Sequence, residues 1–299
     1  MMEEKQMMTN KQVEAEIRSL RCKSALAKVL ASCSTVVAFL FFCFGAIPIG
    51  VIIVVIASVC EYLISKYKRR IKSLLSDDVV SGVLKEVLGD SVEYNPWGKI
   101  NPGSMVFPFS YNCADGSDHI KAVYHGLNIE LGDIELIRES QYTDEDGQTQ
   151  QTSYTQFKGQ WLICDFGKEL AGEVYISERE PKTRRMLKSN VTMDNEAFDK
   201  RFCVRADNPQ EAYYILTPHM MEYISTMADK SGGTVYLSFL RNGKMHVAVK
   251  TGRDFFELGK SNADVEGLRQ KFLGELRWFT DLIDTLRVED TLYKKESNI

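Results

Sequence analysis

Val29–Ile64 reads VLASCSTVVAFLFFCFGAIPIGVIIVVIASVCEYLI, and no charged residue occurs between Lys28 and Glu61. A run of about 20 apolar residues is enough for one helix to cross a bilayer. As one straight helix this stretch would extend about 54 Å, whereas the hydrocarbon core is about 30 Å thick. The length therefore favours two membrane helices over one.

The middle of the stretch contains the residues of a turn. Gly45, Pro48 and Gly50 lie within the segment GAIPIG. Glycine permits a backbone reversal, and proline suits the first turn of a new helix because it lacks the amide hydrogen that a helix interior needs. We therefore predict a transmembrane helical hairpin over 29–64, with helices at about 25–44 and 48–64.

Basic residues flank the apolar stretch on both sides and are missing from its turn. Before it come Arg18, Arg21, Lys23 and Lys28, and after it come Lys66, Lys68, Arg69, Arg70 and Lys72. Basic residues near helix ends stay on the cytoplasmic side of a membrane. The pattern predicts a multi-pass protein of the cell (inner) membrane with both termini cytoplasmic. A shallow re-entrant hairpin is an alternative that the sequence leaves open.

Composition and cysteine usage agree with a cytosolic location for the rest of the chain. The 299 residues carry a net charge of −4, so no nucleic-acid partner is expected. The seven cysteines are dispersed and show no paired CxxC spacing. An odd, scattered set is typical of reduced thiols in a cytosol.

The soluble part of the chain predicts an α+β fold. Residues 1–28 form a helical lead-in to the membrane, and 72–299 form a cytosolic α+β domain. Within that domain, Ser76 is a candidate N-cap for a short helix that ends at Gly89. Residues 94–180 are β-rich, with alternating β-branched and aromatic residues typical of an antiparallel sheet. Asp146-Gly147 marks a hairpin tip there.

A closing module is predicted over 191–290. Asp207-Asn208-Pro209 opens one helix, with Asp207 as a candidate cap, and Thr217 caps the next. A hairpin follows, TVYLSFL then Arg241-Asn242-Gly243 then KMHVAVK, and its Asn-Gly pair predicts a type I′ turn. A final amphipathic helix, from about Ala263 to Leu286, carries an apolar stripe that belongs against a sheet.

This module resembles a known family. The segments FDKRFCVRADNPQEAYYILTPHMMEYI, VYLSFLRNGKMHVAV and DFFE resemble a bacterial membrane-protein family of unknown function, catalogue number three-one-three-seven, some of whose members are mislabelled galanin. The residues that match its pattern are Phe202, Ala206, Asp207, Leu216, Thr217, Pro218, Phe239 and Phe256-Glu257. The resemblance implies a bacterial membrane protein. It implies no activity, so no functional residue is carried over.

The chain shows few signs of catalytic or metal chemistry. It has no phosphate-binding glycine loop, no HExxH motif and no paired-cysteine metal site, so no cofactor or metal is expected and catalytic residues stay unknown. His119 and His125 would share a strand face but lack further ligands. Glu257, which follows two phenylalanines, is a weak site candidate: it either pairs with a buried arginine or forms part of a site.

Three functional hypotheses follow. The first is a membrane-anchored cytosolic binding or scaffolding module that binds the lipid bilayer and a protein partner at the membrane surface, with homo-oligomers as an option. The second is a membrane-tethered enzyme with a cleft between the sheet and the closing module, which a cleft gathering Glu257, a histidine and a strained backbone would favour. The third is a subunit of a small oligomeric channel, for which Ser32, Thr35 and Ser58 form only a faint polar stripe.

Overall fold

The structure, a computed structural model, describes residues 10–103, 108–143, 149–165, 170–180, 188–256 and 264–293. The chain divides into two compact units. Unit 1 holds Met1–Val83 and Lys260–Gln270, and unit 2 holds Leu84–Gly259 and Lys271–Ile299.

Unit 1 contains the predicted helical hairpin. Helix α1 covers Asn10–Cys43 and α2 covers Ile47–Leu75, and the two pack against each other. Both are longer than the apolar stretch requires, because the polar lead-in continues α1 and the basic segment continues α2. The α+β fold class, with two long apolar helices before an antiparallel sheet, is confirmed.

The helix predicted to begin at Ser76 has no separate start. A π-helical turn, Ser76–Val80, follows α2 directly and leads into α3, Ser81–Leu88. The Ser76 hydroxyl donates to the Lys72 carbonyl at 2.7 Å instead of capping a new helix. A serine bonded back to the preceding turn leaves the helical backbone unbroken, which is why the N-cap interpretation is wrong.

The hairpin turn depends on Gly45. Its φ is +76°, a left-handed conformation that glycine adopts without steric cost. The amide of Ala46 donates to the Phe41 carbonyl at 2.9 Å, and the amide of Gly45 donates to the Phe42 carbonyl at 3.1 Å. This pair of bonds is the Schellman arrangement that ends a helix at a left-handed glycine.

Pro48 has the position predicted for it, whereas Gly50 lies inside α2 without a positive φ and takes no part in the backbone reversal predicted for it. Pro48 lies in the first turn of α2, where its missing amide hydrogen costs no helical bond. Gly50 is buried, and a Cβ added there would lie 2.9 Å from the Phe42 ring. Glycine at this position therefore lets the Phe42 side chain of α1 pack directly on the α2 backbone.

In its described residues, unit 2 is built on one sheet of eight strands, and every pairing among them is antiparallel. The strands are β1 Glu93–Asn95, β2 Cys113–Tyr124, β3 Leu127–Thr143, β4 Thr149–Asp165, β5 Val174–Glu178, β6 Phe202–Ala206, β7 Thr234–Phe239 and β8 Lys244–Lys250. Their order is β1-β2-β3-β4-β8-β7-β5-β6. The β7–β8 hairpin thus lies between β4 and β5, so the β-rich segment and the closing module share one sheet. The Asp146-Gly147 tip lies outside the described residues, but Thr143 pairs with Thr149 on either side of it.

The turn between β7 and β8 differs from the predicted type. Gly243 has φ +73°, but Asn242 is absent from the described non-glycine residues with positive φ. The Gly243 amide donates to the Leu240 carbonyl at 3.1 Å, and the Leu240 amide donates to the Lys244 carbonyl at 2.9 Å. Three residues therefore connect the strands, a type I turn followed by a left-handed glycine, and the type I′ prediction is wrong.

Four further helices follow the chain order: α4 Glu196–Arg201, α5 Pro209–Ile215, α6 Pro218–Lys230 and α7 Val265–Tyr293. Thr217 caps α6 as predicted, by accepting from the Met220 amide at 3.2 Å. Asn208, and not Asp207, caps α5. Asp207 instead accepts from the Arg241 guanidinium at 2.8 Å, which ties it to the β7–β8 turn.

Both faces of the central strands are covered. On one face, Phe157, Trp161, Tyr236 and Ala248 form a buried cluster against which Phe109 packs. On the other face, β4 and β8 place Gln160 beside Val249. That second face forms the floor of the pocket described below.

Candidate functional site

The hairpin exposes apolar side chains. Among the described residues, Asn10–Cys43 and Ile47–Leu88 are the helical stretches long and apolar enough to cross a membrane, and only 11% and 6% of their most apolar windows are buried. The side chains of Phe39 and Ile52 are 67% and 61% exposed. A core helix of a soluble protein would be mostly covered, so these two helices could span a membrane.

Polar groups inside the hairpin are satisfied locally. The Thr35 hydroxyl donates to the Ala31 carbonyl at 2.6 Å, and the Ser58 hydroxyl donates to the Val54 carbonyl at 3.1 Å. Each bond lies within one helix, so neither hydroxyl needs a partner from water. Such back-bonded hydroxyls are compatible with a lipid environment.

The basic residues predicted to lie at the membrane edge are exposed at one end of the hairpin. An ion pair of 3.0 Å between Glu16 of α1 and Arg70 of α2 brings the two helix ends together. The others of the predicted set are Lys28, Lys66, Lys68 and Arg69, and all are exposed. The basic flanks of both helices therefore lie at the end of the hairpin opposite the Gly45 turn.

The weak candidate Glu257 lies outside the described residues. The two phenylalanines before it are described and buried. Phe256 has φ +52°, which is rare for an aromatic residue, and its ring contacts Tyr94 and Phe272 at 6.3 and 5.1 Å between centroids. Strained backbone of this kind clusters at functional sites.

A pocket of about 390 Å³ lies next to this strained segment, within unit 2. Ligand pockets commonly begin at about 300 Å³. The lining residues are Gln160 of β4, Val249 of β8, Thr251, Arg253, Asp254 and Phe255 of the following loop, Lys230, Ser231 and Gly232 at the end of α6, and Lys271, Gly274, Glu275, Trp278 and Phe279 of α7. The pocket therefore lies between the sheet and two helices of the closing module.

Buried hydrogen bonds fix the loop that forms one wall. The Phe255 amide donates to Asp133 Oδ2 at 2.6 Å. Gln160 Nε2 donates both to Asp133 Oδ1 at 3.2 Å and to the Arg253 carbonyl at 2.7 Å. The Thr251 hydroxyl donates to Gln160 Oε1 at 3.0 Å. Each buried polar atom named here has a partner, so this network rigidifies the wall.

Asp133 itself is a strongly perturbed group. Burial raises the pKa of its carboxyl well above the ordinary value, and the neighbouring Asp118 charge raises it further. Asp118 is also buried and accepts from the Tyr94 hydroxyl at 2.6 Å. A neighbouring carboxylate charge therefore disfavours the ionised form of Asp133.

The pocket carries charges of both signs. Lys271 pairs with Glu275 at 3.5 Å, and Asp254 pairs with Lys158 outside the pocket at 3.2 Å. Burial raises the pKa of Glu275, although Lys271 and the Phe256 amide both favour its charged form. Arg253 completes the set of charges close to this carboxyl.

The structure gives part of the arrangement expected for an enzyme. A strained residue adjoins the pocket, and Glu275 supplies a half-buried carboxyl, but no described lining residue is a histidine. His119 and His125 do not share a strand as predicted: β2 ends at Tyr124, and His125 lies in the turn with φ +49°. They pair separately with Glu130 and Asp284.

The cysteines are free, including Cys164. Burial, with the adjacent Asp165, raises the pKa of the Cys164 thiol to about 12. It therefore stays protonated and is not a nucleophile at neutral pH.

Sequence reasoning named a cleft between the sheet and the closing module but missed its lining residues, because they come from four separated segments whose individual patterns are those of ordinary strands and helices. One local signal was present. Gly274 interrupts the amphipathic α7, and a Cβ added there meets nothing within 4 Å. A helical glycine without a steric reason indicates open space.

Comparison with known proteins gives one finding. No curated protein and no solved structure matches the chain significantly. Residues 155–288 match the family model described as Protein of unknown function (DUF3137). That range includes every pocket-lining residue. The resemblance seen in the sequence is confirmed over this part of the chain.

Proposed function

We propose that the protein is an integral membrane protein whose helical hairpin crosses the inner membrane of a bacterium twice, with both termini in the cytosol. There the α+β domain acts as a binding module for a protein partner at the membrane surface. The observation that carries the membrane part is an apolar hairpin with exposed side chains and basic flanks at one end. Exposed apolar surface is costly in water and favourable in lipid, and the basic ends favour the cytosolic side.

Support for the binding part comes from exposed aromatic residues in unit 2. Trp97, Tyr154, Tyr213 and Tyr214 are 56%, 59%, 52% and 48% exposed. Tyrosine and tryptophan are enriched at the centres of protein interfaces, where they bury a large area with few rotatable bonds.

Cysteine labelling in intact cells tests the topology. Ile47, at the start of α2, is replaced by cysteine in a chain whose other cysteines are serine, and a second variant retains only Cys113, which is exposed on β2. A membrane-impermeant maleimide is expected to label Ile47→Cys in intact cells and Cys113 only after lysis. Cys203 is fully buried, so it is not a usable reporter.

Two outcomes contradict the proposed topology. Labelling of Cys113 in intact cells would place the domain outside. Ile47→Cys that labels only after lysis would show that the turn does not reach the far side, as in a re-entrant hairpin.

Co-purification from native membranes, with mass spectrometry of the bound proteins, tests the partner. The double variant Tyr213→Ala, Tyr214→Ala is compared with Glu196→Ala, which changes an exposed residue of α4. We expect the same protein to be lost with the tyrosine variant and kept with the control. Equal recovery with both variants would exclude this surface of α5.

A further inference from the structure

We propose that the pocket lined by Gln160, Lys230, Arg253, Lys271, Gly274 and Trp278 binds a small, flat organic monoanion such as an aromatic carboxylate. This goes beyond membrane anchorage and partner binding. It also does not depend on which way the hairpin crosses the bilayer, because every lining residue belongs to unit 2.

The available space argues for an occupant. Gly274 lies within α7, where glycine is less favourable than alanine. Its φ is not positive, and a Cβ added there meets no atom within 4 Å. Neither backbone conformation nor packing requires glycine at this position. The room in front of it belongs to the pocket and is large enough for a molecule of one or two rings.

The charge of the lining selects an anion. Lys230, Arg253 and Lys271 face the pocket with two carboxyls, Asp254 and Glu275, which leaves one net positive charge. Lys271 is already paired with Glu275, and Asp254 with Lys158 outside the pocket. Lys230 and Arg253 are therefore the cations that an incoming group can use. One surplus charge matches a carboxylate better than a dianionic phosphate.

The apolar part of the lining selects a flat body. Phe255 and Phe279 are buried with ring centroids 5.8 Å apart, and Trp278 lies beside them on α7. The Trp278 indole N–H is already donated to the Met227 carbonyl at 3.2 Å. The ring is therefore held in place and offers its apolar surface, which suits stacking with a planar group.

The site is also preformed. The loop that carries Arg253 is fixed by Gln160, Thr251 and Asp133, as described above. A binding wall that is already ordered loses little conformational entropy when a ligand arrives.

Calorimetry on the full chain in lipid nanodiscs tests the proposal, in buffer of low chloride at pH 7.5. The probes are 2-naphthoate and its neutral analogue 2-naphthamide, which have the same rings and differ in charge. Phenyl phosphate serves as a dianionic comparison. We expect 2-naphthoate to bind at least tenfold more tightly than either of the other two.

Two variants and their matched controls locate the binding. Arg253→Gln removes an exposed cation of the pocket, and Arg277→Gln removes an exposed cation of α7 that does not line it. Gly274→Leu fills the pocket, whereas Gly82→Leu adds the same side chain to a helical glycine of α3 with equally open surroundings. We expect tenfold weaker 2-naphthoate binding for Arg253→Gln, no measurable binding for Gly274→Leu, and unchanged binding for both controls.

Several results would overturn the proposal. They are the absence of 2-naphthoate binding at millimolar concentration, equal binding of 2-naphthamide, tighter binding of phenyl phosphate, and full binding by Gly274→Leu. If Gly274→Leu did not fold, the 2-naphthoate affinities of Arg253→Gln and Arg277→Gln would test the proposal without it, because both variants replace exposed side chains. The labelling pattern of the hairpin is independent of all these outcomes, so failure here is distinguishable from failure of the proposed topology.

Discussion

His246 and Asp133 are buried ionisable side chains of the sheet, and pH acts on them in opposite directions. Burial lowers the pKa of His246 to about 4, and the Lys244 charge lowers it further; its Nδ1 accepts from the Trp161 indole at 3.2 Å. Burial and Asp118 raise the pKa of Asp133. Burial in the folded domain thus favours the neutral form of each group.

His246 predicts a loss of stability in acid. The unfolded chain binds a proton near pH 6.5 and the folded chain only near pH 4, so stability is complete above 6.5 and falls as pH falls through this window. At pH 4.5 the loss is about 2–3 kcal/mol. We expect His246→Asn, whose amide oxygen still accepts from Trp161, to remove most of this difference between pH 7.5 and 4.5. Urea unfolding of the full chain in detergent measures it, and an unchanged acid loss would contradict the prediction.

For Asp133 we expect stability to change with pH in the opposite direction. Because its folded pKa is raised, the folded chain binds the proton more tightly, and stability falls as pH rises from the ordinary value of 3.8 through the folded pKa. Asp133→Asn is expected to flatten this fall. The substitution lowers stability by about 1 kcal/mol at low pH, because the asparagine amide still accepts from the Phe255 amide but no longer accepts from Gln160. The same urea experiment, at pH 4.5 and 8, checks it; an equally steep fall in the variant would count against Asp133 as the responsible group.

At the scale of elements, the hairpin of α1 and α2 is specified by few residues. Gly45 ends α1 in a left-handed conformation, and Gly50 leaves room for Phe42. Glycine is needed at each of these two positions for a steric reason. At Gly82 in α3, by contrast, an added Cβ meets no atom within 4 Å. The two kinds of glycine respond differently to the same substitution.

Gly45→Ala is expected to lower stability by about 1 kcal/mol, because alanine disfavours positive φ. Gly82→Ala is expected to raise it by about 0.5–1 kcal/mol, because it adds helix propensity without a clash. Unfolding by titration with dodecyl sulfate, followed by circular dichroism, measures both. A matching sign for the two variants would contradict the role assigned to Gly45.

At the scale of the whole molecule, two side chains with equal exposure are proposed to face different surroundings, one lipid and the other water. Val55 on the hairpin is 58% exposed, and Tyr154 on β4 is 59% exposed. If lipid covers the first and water the second, the same substitution distinguishes them. A lysine at the centre of a membrane helix costs about 2.5–3.5 kcal/mol for insertion, whereas an ordinary surface substitution changes stability by about 0.5 kcal/mol or less.

We therefore expect Val55→Lys to reduce the fraction of the chain that resists alkaline carbonate extraction of membranes, and Tyr154→Lys to leave that fraction unchanged. Immunoblots of the pellet and supernatant give the measurement. Complete retention of Val55→Lys would show that this face of the hairpin does not meet the hydrocarbon core.

The sequence predicted features that depend on neighbours along the chain. The Gly45 turn, the Thr217 cap and the alternating strands each follow from local backbone chemistry, and the structure has them. Local reasoning failed where a distant partner decided the outcome. Asp207 pairs with Arg241 instead of capping α5, and Asn242 lies in a three-residue turn set by the register of β7 and β8. The candidate Glu257 stays untested, since it lies outside the described residues.

By itself, the sequence determined two long apolar helices, an antiparallel α+β domain and the resemblance of residues 155–288 to a family of unknown function. These depend on composition, periodicity and turn residues, which are properties of short segments. Only the tertiary structure decided the strand order and the pocket. The sheet places the β7–β8 hairpin beside β4, and this pairing brings Gln160, Arg253 and α7 around one space although they are distant in the chain. Such a site arises from contacts between remote segments, and Gly274 is a local signal of open space that does not specify which segments enclose it.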